Sequence, residues 1–261
     1  MIKSLLTLFF VFMFHTGFCQ QSFQLAPPLL KYKSGFFTGS TNVELLFRQP
    51  GAVVRYTLDG KEPNEQDLLY TKPITINKNC TVKAKSFGAN FSPSETVSAS
   101  FLKDGKTIEK IEFSKPNPAY ANSAKNVLND NLGGIPDFHH QNWLGFNSDT
   151  VDIWVHLQKK EVIQSVLLNF LQDNKSWIFL PEKVLLYGYN DQTKAYVKIG
   201  EEVYKSDQLV AKDCSAQNIK LAKKFKTNLI HLRLCTLKKM PDWHASKGEH
   251  AHLFIDELKV Y

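Results

Sequence analysis

VRYTLDGKEPNEQDLLYTKPIT, residues 54–75, decides the fold class of this chain. Val54, Tyr56 and Leu58 recur at every second position, the period of a strand with one buried face, and Asp59-Gly60 supplies the positive backbone dihedrals of a tight turn. Pro63 and Asn64 continue a polar loop that ends at Leu69-Tyr70. Lys72-Pro73 opens the next strand at 74–76, and TVKAKS at 81–86 adds a third with the same alternation. Working outward, further strands are expected near 43–47, 53–58 and 96–101. The set predicts a small immunoglobulin-like or fibronectin-like sandwich over residues 25–103. Lys103-Asp104-Gly105-Lys106 is a short polar turn and the natural boundary, and its brevity predicts two modules that pack against each other.

From 105 to 261 strand signals continue near 151–157, 162–170, 183–189, 230–235 and 251–260. Aromatics at 12% and eleven prolines, with glycines scattered between short β-rich runs, make the whole chain all-β.

Residues 1–19 read as a signal peptide. Lys3 is the charged region, 5–14 is an apolar run too short to span a bilayer, and Gly17-Phe18-Cys19 precedes the cut. Export to the periplasm or the medium, with cleavage near Gln20, is expected. A lipid anchor would use Cys19, but Phe18 stands where a small residue is usual. No other segment is apolar enough for a membrane span. The formal charge of +7 is spread thinly, and KLAKKFK at 220–226 reads as a solvated strand edge guarded by lysines. No nucleic-acid fold signature accompanies it, so nucleic acid is not an expected partner. Outside the leader, Cys80, Cys214 and Cys235 allow at most one disulfide, with Cys214 and Cys235 the pair expected to share a module. Zinc is not expected, because no CxxC spacing exists.

The phrases around 54–86 resemble the small C-terminal domain of chitobiases and β-N-acetylhexosaminidases, which carries no catalytic residue in that family. NVLNDNLGG (126–134), NWLGF (142–146), DIWVHL (152–157), FLQDNKSWIFLPEKV (170–184) and PDWHASKGEHAHLFIDELKV (241–260) are similar to a coagulation factor V/VIII type C, or discoidin-like, domain. The resemblance is to the version attached behind the same small domain in bacterial hexosaminidases. It implies a jelly-roll sandwich whose relatives mostly bind sugars through loops at one end. Asn131 stands where glycine usually follows the aspartate of that loop, and Ala245-Ser246 stand where Pro-Gly usually follows the histidine.

Hexosaminidase catalysis in the resembling enzymes uses an adjacent Asp-Glu pair on a TIM barrel. The one such step here, Asp256-Glu257, lies in a terminal strand, and the β modules leave no room for a barrel of about 250 residues. No catalytic residue is therefore assigned. The resemblance further implies a structural Ca²⁺ held between an early loop and the last strand, for which Asp130 and Glu257 are the matching residues. Hard cations need several oxygen ligands, which the loop's carbonyls would complete. In the alternative, Asp130 caps a turn and Glu257 is a solvated strand residue.

Sugar recognition needs an aromatic face for the apolar side of a pyranose ring and polar groups for its hydroxyls. Three loops offer candidates: Trp177 with Asp173 and Asn174, Trp243 with His244, and Phe138 with His139 and His140. Trp177 and Trp243 have an alternative role packing over the end of the sandwich. Trp143 and Trp154 are expected in the core. His250 and His252 fall on one strand face, as two ligands of a zinc or copper site would, but lack a third, and satisfied or solvated histidines are expected. No nucleophile-elbow glycine pattern appears. The chain thus reads as an exported, non-catalytic protein that binds a glycan or polysaccharide of amino-sugar or galactose type, its first module a spacer or docking platform. One rival is a structural partner of a glycoside hydrolase, and another is a hydrolase related to β-N-acetylhexosaminidase.

Overall fold

The computed structural model describes residues 23–121 and 127–261. The leader, with Cys19, and Asn126 of the first loop phrase lie outside them. The fold is all-β. The first eight strands are β1 (Leu29–Lys31), β2 (Phe36–Phe37), β3 (Thr41–Leu46), β4 (Ala52–Thr57), β5 (Leu68–Leu69), β6 (Ile74–Ile76), β7 (Cys80–Gly88) and β8 (Val97–Lys103). They form a three-stranded sheet, β1-β3-β6, and a five-stranded sheet, β2-β8-β7-β4-β5. Val43, Leu45, Ile74 and Ile76 from the first sheet and Val54, Val82, Ala84, Ala99 and Phe101 from the second share one core. The hairpin at 54–75 pairs Tyr56 with Leu68 and Arg55 with Leu69. Its turn is longer than the two-residue form. Of Asp59 and Gly60, only Gly60 has positive φ, +78°, and its N–H donates to Thr81 O at 3.1 Å, which pins the loop on β7.

The second group is β9 (Ile108–Phe113), β10 (Leu144–Phe146), β11 (Thr150–Gln172), β12 (Lys183–Asn190), β13 (Ala195–Val203), β14 (Asp213–Cys235) and β15 (Leu253–Val260). The path β10-β15-β11-β14-β12-β13, with β9 on β11, makes one seven-stranded sheet. The two strands expected at 151–157 and 162–170 are a single strand, β11. Register shifts between His156 and Glu161 and between Ile163 and Ser165 reverse its parity. The buried set therefore changes from Val151, Ile153, Val155 and Leu157 to Val166, Leu168 and Phe170, and both halves face one core.

Two expectations change here. Trp154 is not core: it points away from Ile153 and Val155 and stacks on His231, with ring centroids 5.1 Å apart and planes 8° apart. Alternation along the strand forces this, because its neighbours in sequence already fill the inner face. Cys214 and Cys235 sit at opposite ends of β14, opposite Leu171 and Thr150, and all three described cysteines are free thiols. Cys214 Sγ donates to Gly134 O at 3.3 Å, and burial, aided by Asp256 and Asp213, pushes its pKa up to about 12. In the native protein at pH 8 its alkylation by iodoacetamide should be on the order of a hundredfold slower than in the urea-unfolded chain, read by peptide mass spectrometry.

The turn at 103–106 lies along β15. Lys106 N–H donates to Val260 O at 2.7 Å, and the Tyr261 hydroxyl donates to Lys103 O at 2.8 Å. A Cβ on Gly105 would stand 1.9 Å from Val260 O, so only glycine fits between the modules. Gly105→Ala should cost about 1–3 kcal/mol in urea unfolding, since the obstacle is backbone and not a movable side chain.

Candidate functional site

Three loops meet beside the start of β15. The first is the turn after β11, where the short 3-10 helix Asn174–Ser176 ends at Trp177. Trp177 has φ +65°, a left-handed conformation unusual for a bulky residue and costing roughly 1–2 kcal/mol. Its backbone is fixed there: its N–H donates to Asn174 O at 3.1 Å and its carbonyl accepts from His252 N–H at 2.8 Å. The indole is nevertheless 42% exposed.

The second loop is 240–250, closed by Gly248 N–H to Met240 O at 3.0 Å and by Met240 N–H to Glu249 O at 2.8 Å. It presents Trp243, 37% exposed, whose Nε1 donates to Ser206 O at 3.0 Å. That bond ties it to the third loop, which carries Leu209. Trp177, Trp243, Lys175, Leu209, His244 and Ala245 line one open cleft of about 260 Å³.

The polar candidates lie beneath the cleft. Asn174 is buried and joins all three loops: its Nδ2 donates to Ile178 O, its Oδ1 accepts from Val210 N–H, and its carbonyl accepts from His244 Nε2 at 2.7 Å. Asp173 is buried too, accepting from Ser176 Oγ at 2.9 Å and pairing with Lys212 at 3.3 Å. Ser246 N–H donates to His244 Nδ1 at 3.0 Å, so Nδ1 is unprotonated and Nε2 carries the hydrogen given to Asn174 O. Buried and with both ring nitrogens engaged, His244 has no polar atom left for a ligand. Asn174→Ala should therefore cost about 1–3 kcal/mol in stability and also weaken ligand binding, because Val210 N–H loses its acceptor and the third loop loses its tie, while the backbone carbonyl still holds His244.

His139 and His140 lie elsewhere. With Tyr120, Phe138 and Trp143 they line a second concavity of about 290 Å³, where His139 pairs with Asp137 at 3.2 Å. The structure thus brings Trp177, Trp243 and His244 together and leaves the 138–140 loop apart. Among the described residues no group of three or more His, Cys, Asp or Glu could hold a metal, so His250 and His252 gain no third ligand there. Trp143, as expected, is buried, and its Nε1 donates to Ile135 O at 2.9 Å.

Asp256 and Glu257 are 1% and 0% exposed, closed to any substrate. A bulge puts both on one face of β15. Asn169 pairs with Glu257 and Phe170 with Ile255, so Asp256 is the extra residue, and the core set shifts from Leu253 and Ile255 to Leu258 and Val260. Asp256 accepts from Gly134 N–H and from Asn169 Nδ2, the latter at 2.7 Å; burial raises its pKa to about 7. Glu257 Oε2 accepts from Asn131 N–H at 3.0 Å, and burial pushes this carboxyl up to about 8 against the pull of Lys259.

The first module has a relative at the sequence level. Residues 32–98 match the family of the chitobiase/beta-hexosaminidase C-terminal domain. No curated protein matches the chain. Among solved structures the chain is similar to the family 32 carbohydrate-binding module of Streptococcus pneumoniae EndoD, at 12% identity over 60% of this chain and 96% of that one, with a TM-score of 0.38. It is also similar to CBM32-1 from a family 31 glycoside hydrolase of Clostridium perfringens, at 13% identity over 59% and 94%, with a TM-score of 0.36.

Calcium was expected between Asp130 and Glu257. Asp130 is half-buried, its Oδ1 accepts from Leu132 N–H at 2.8 Å, and burial raises its pKa. Glu257 Oε1 faces Lys259 Nζ at 2.9 Å, at angles that fall short of a hydrogen bond. An ammonium so close to the central carboxylate opposes a second cation, so these residues do not fit a divalent ion. Sequence reading missed Lys259, Leu209 and Lys175. A lysine in the last buried strand was the available signal for the first, and the apolar Leu209-Val210 pair inside a polar loop for the second.

Proposed function

We propose that the protein is an exported, non-catalytic carbohydrate-binding protein that takes a pyranose ring in the Trp177–Trp243 cleft, the first module serving as spacer or docking platform. The observation that carries this reading is the pair of exposed indoles in one cleft, with Trp177 held in a left-handed conformation and Trp243 tethered through Nε1. An indole face suits the C–H face of a pyranose, and Lys175 and the loop backbone are at hand for its hydroxyls. The match of the first module to a domain of chitobiase and β-hexosaminidase favours amino sugars, with galactose-type rings as the comparison set. The burial of Asp256 and Glu257 supports binding without turnover. An open cleft with two aromatic contacts should give a Kd of about 0.1–1 mM, or roughly −4 to −5.5 kcal/mol. Isothermal titration with N-acetylglucosamine, N-acetylgalactosamine and galactose, preceded by a glycan array, tests it. Saturable binding of at least one class is expected, and the absence of heat and array signal at millimolar sugar would overturn the reading.

A further inference from the structure

The junction between the modules holds a buried cation that is part of the chain. Lys259, 1% exposed, extends from β15 away from the core. Its ammonium donates to Asp104 Oδ1 at 2.6 Å and to Asn131 Oδ1 at 2.7 Å, and lies 2.9 Å from Glu257 Oε1. These three oxygens come from the inter-module turn, the 130–134 loop and the last strand. The ammonium also stands 5.9 Å from the Phe36 ring centroid, on the first module's β2.

The loop around it is shaped for this contact. Asn131 has φ +62°, a conformation asparagine tolerates better than most residues, and this is where the resembling family has glycine. A glycine would keep the turn and lose the side chain. That side chain accepts from Lys259 through Oδ1 and donates through Nδ2 to Thr38 Oγ1 at 3.3 Å, so it bridges strand β15 to the first module. Gly133 N–H donates to Ser34 Oγ at 3.3 Å, and a Cβ on Gly133 would press the Phe36 ring at 2.9 Å. Burial works to raise Asp104, but its bonds from Lys259 and Thr38 bring it below the usual carboxylate range. The ammonium therefore has an ionised partner from the inter-module turn.

We propose that the Lys259 ammonium is the resident cation of this junction, clamping Asp104, Asn131 and Glu257 together in place of a divalent ion, so that the union of the two modules is independent of calcium. The inference stands apart from the sugar cleft and would survive its failure. The test uses the full chain, stripped with EDTA and then returned to 5 mM CaCl₂, about five- to fiftyfold above the dissociation constant of about 0.1–1 mM typical of a weak site. The unfolding midpoint of the natural sequence is expected to stay within about 1 °C across these conditions. Lys259→Ala, which leaves the oxygens without their ammonium, should unfold at a lower temperature and recover by several degrees with CaCl₂. Lys259→Arg keeps a cation and should remain indifferent to calcium, which preserves the test if the alanine variant does not fold. Stoichiometric calcium binding to the natural sequence, or a midpoint that rises with CaCl₂, would overturn the proposal. So would a folded alanine variant that ignores calcium, since the oxygens would then not form a cation nest.

Discussion

Replacing Trp177 and Trp243 together with alanine should remove measurable sugar binding up to about 10 mM, a loss of at least tenfold from the affinity expected of the cleft. Each indole supplies a flat apolar face that no other residue of the lining replaces: Lys175, Leu209 and Ala245 have none, and His244 is buried with both nitrogens engaged. Losing one aromatic contact should cost about 1–2 kcal/mol of binding, and losing both should exhaust a weak interaction. The fold should survive, because the Asn174 ties that join the loops are untouched. Comparing alanine with glycine at 177 separates structure from function. At φ +65° alanine carries the left-handed penalty and glycine does not, so Trp177→Gly should be about 1 kcal/mol more stable than Trp177→Ala in urea unfolding, while both bind sugar equally poorly. That order would show that the chain holds a strained backbone to keep the indole at the cleft. Binding retained in the double variant would place the sugar elsewhere.

How much of this was legible depended on whether the deciding contacts were local. The hairpin at 54–75 was legible because period-two alternation is set by neighbouring residues, and strands β4, β6 and β7 follow it closely. The same rule, applied strictly to DIWVHL, places Trp154 opposite Val155, so its outward position was readable in the alternation itself. The position of Asn131 was half legible: a residue in a glycine place predicts positive φ, but not that its side chain would reach Thr38 across the junction. In LFIDELKV simple alternation sends Leu253, Ile255, Glu257 and Lys259 to one face, which would bury two charges in the core. The bulge at Asp256 resolves that conflict, and it is set by pairing with β11, almost ninety residues away in sequence by the Asn169–Asp256 bond. The cleft shows the same limit. A polar loop ahead of Trp177 suggested that Asp173 and Asn174 face a ligand, yet Val210 and His244, from distant loops, claim the polar atoms of Asn174, and Ser176 and Lys212 claim those of Asp173. The aromatic rings remain exposed because hydrogen bonding makes no comparable demand on them.

Lys259→Met should be the most damaging change at the junction's charged groups, lowering stability by about 3 kcal/mol. Methionine has the length of the lysine stem and leaves little cavity, so the loss isolates the ammonium. Removing one partner of a buried ion pair typically costs about 3–5 kcal/mol, because the remaining charge stays desolvated and unpaired. The lower end applies here, since Asp104 keeps its bond from Thr38 and is partly open to water. Glu257→Gln should cost about 1 kcal/mol. Burial already holds this carboxyl up near 8, so little charge is lost, but the single amide oxygen can serve only one of its two donors, Asn131 N–H or Lys259, and the NH2 must turn from the other. Asp104→Asn should fall between them, because it removes the junction's depressed carboxylate and leaves the ammonium with the weaker of its two acidic partners. Urea unfolding of the three variants therefore has an expected order of loss: Lys259→Met, then Asp104→Asn, then Glu257→Gln. If Glu257→Gln proved the most damaging, Glu257 would be the ionised partner and the charge balance of the junction would be the reverse of the one drawn from Asp104. If Lys259→Met cost nothing, the buried ammonium would be a passenger, and the contacts of Phe36, Gly105 and Gly133 would hold the modules by shape alone.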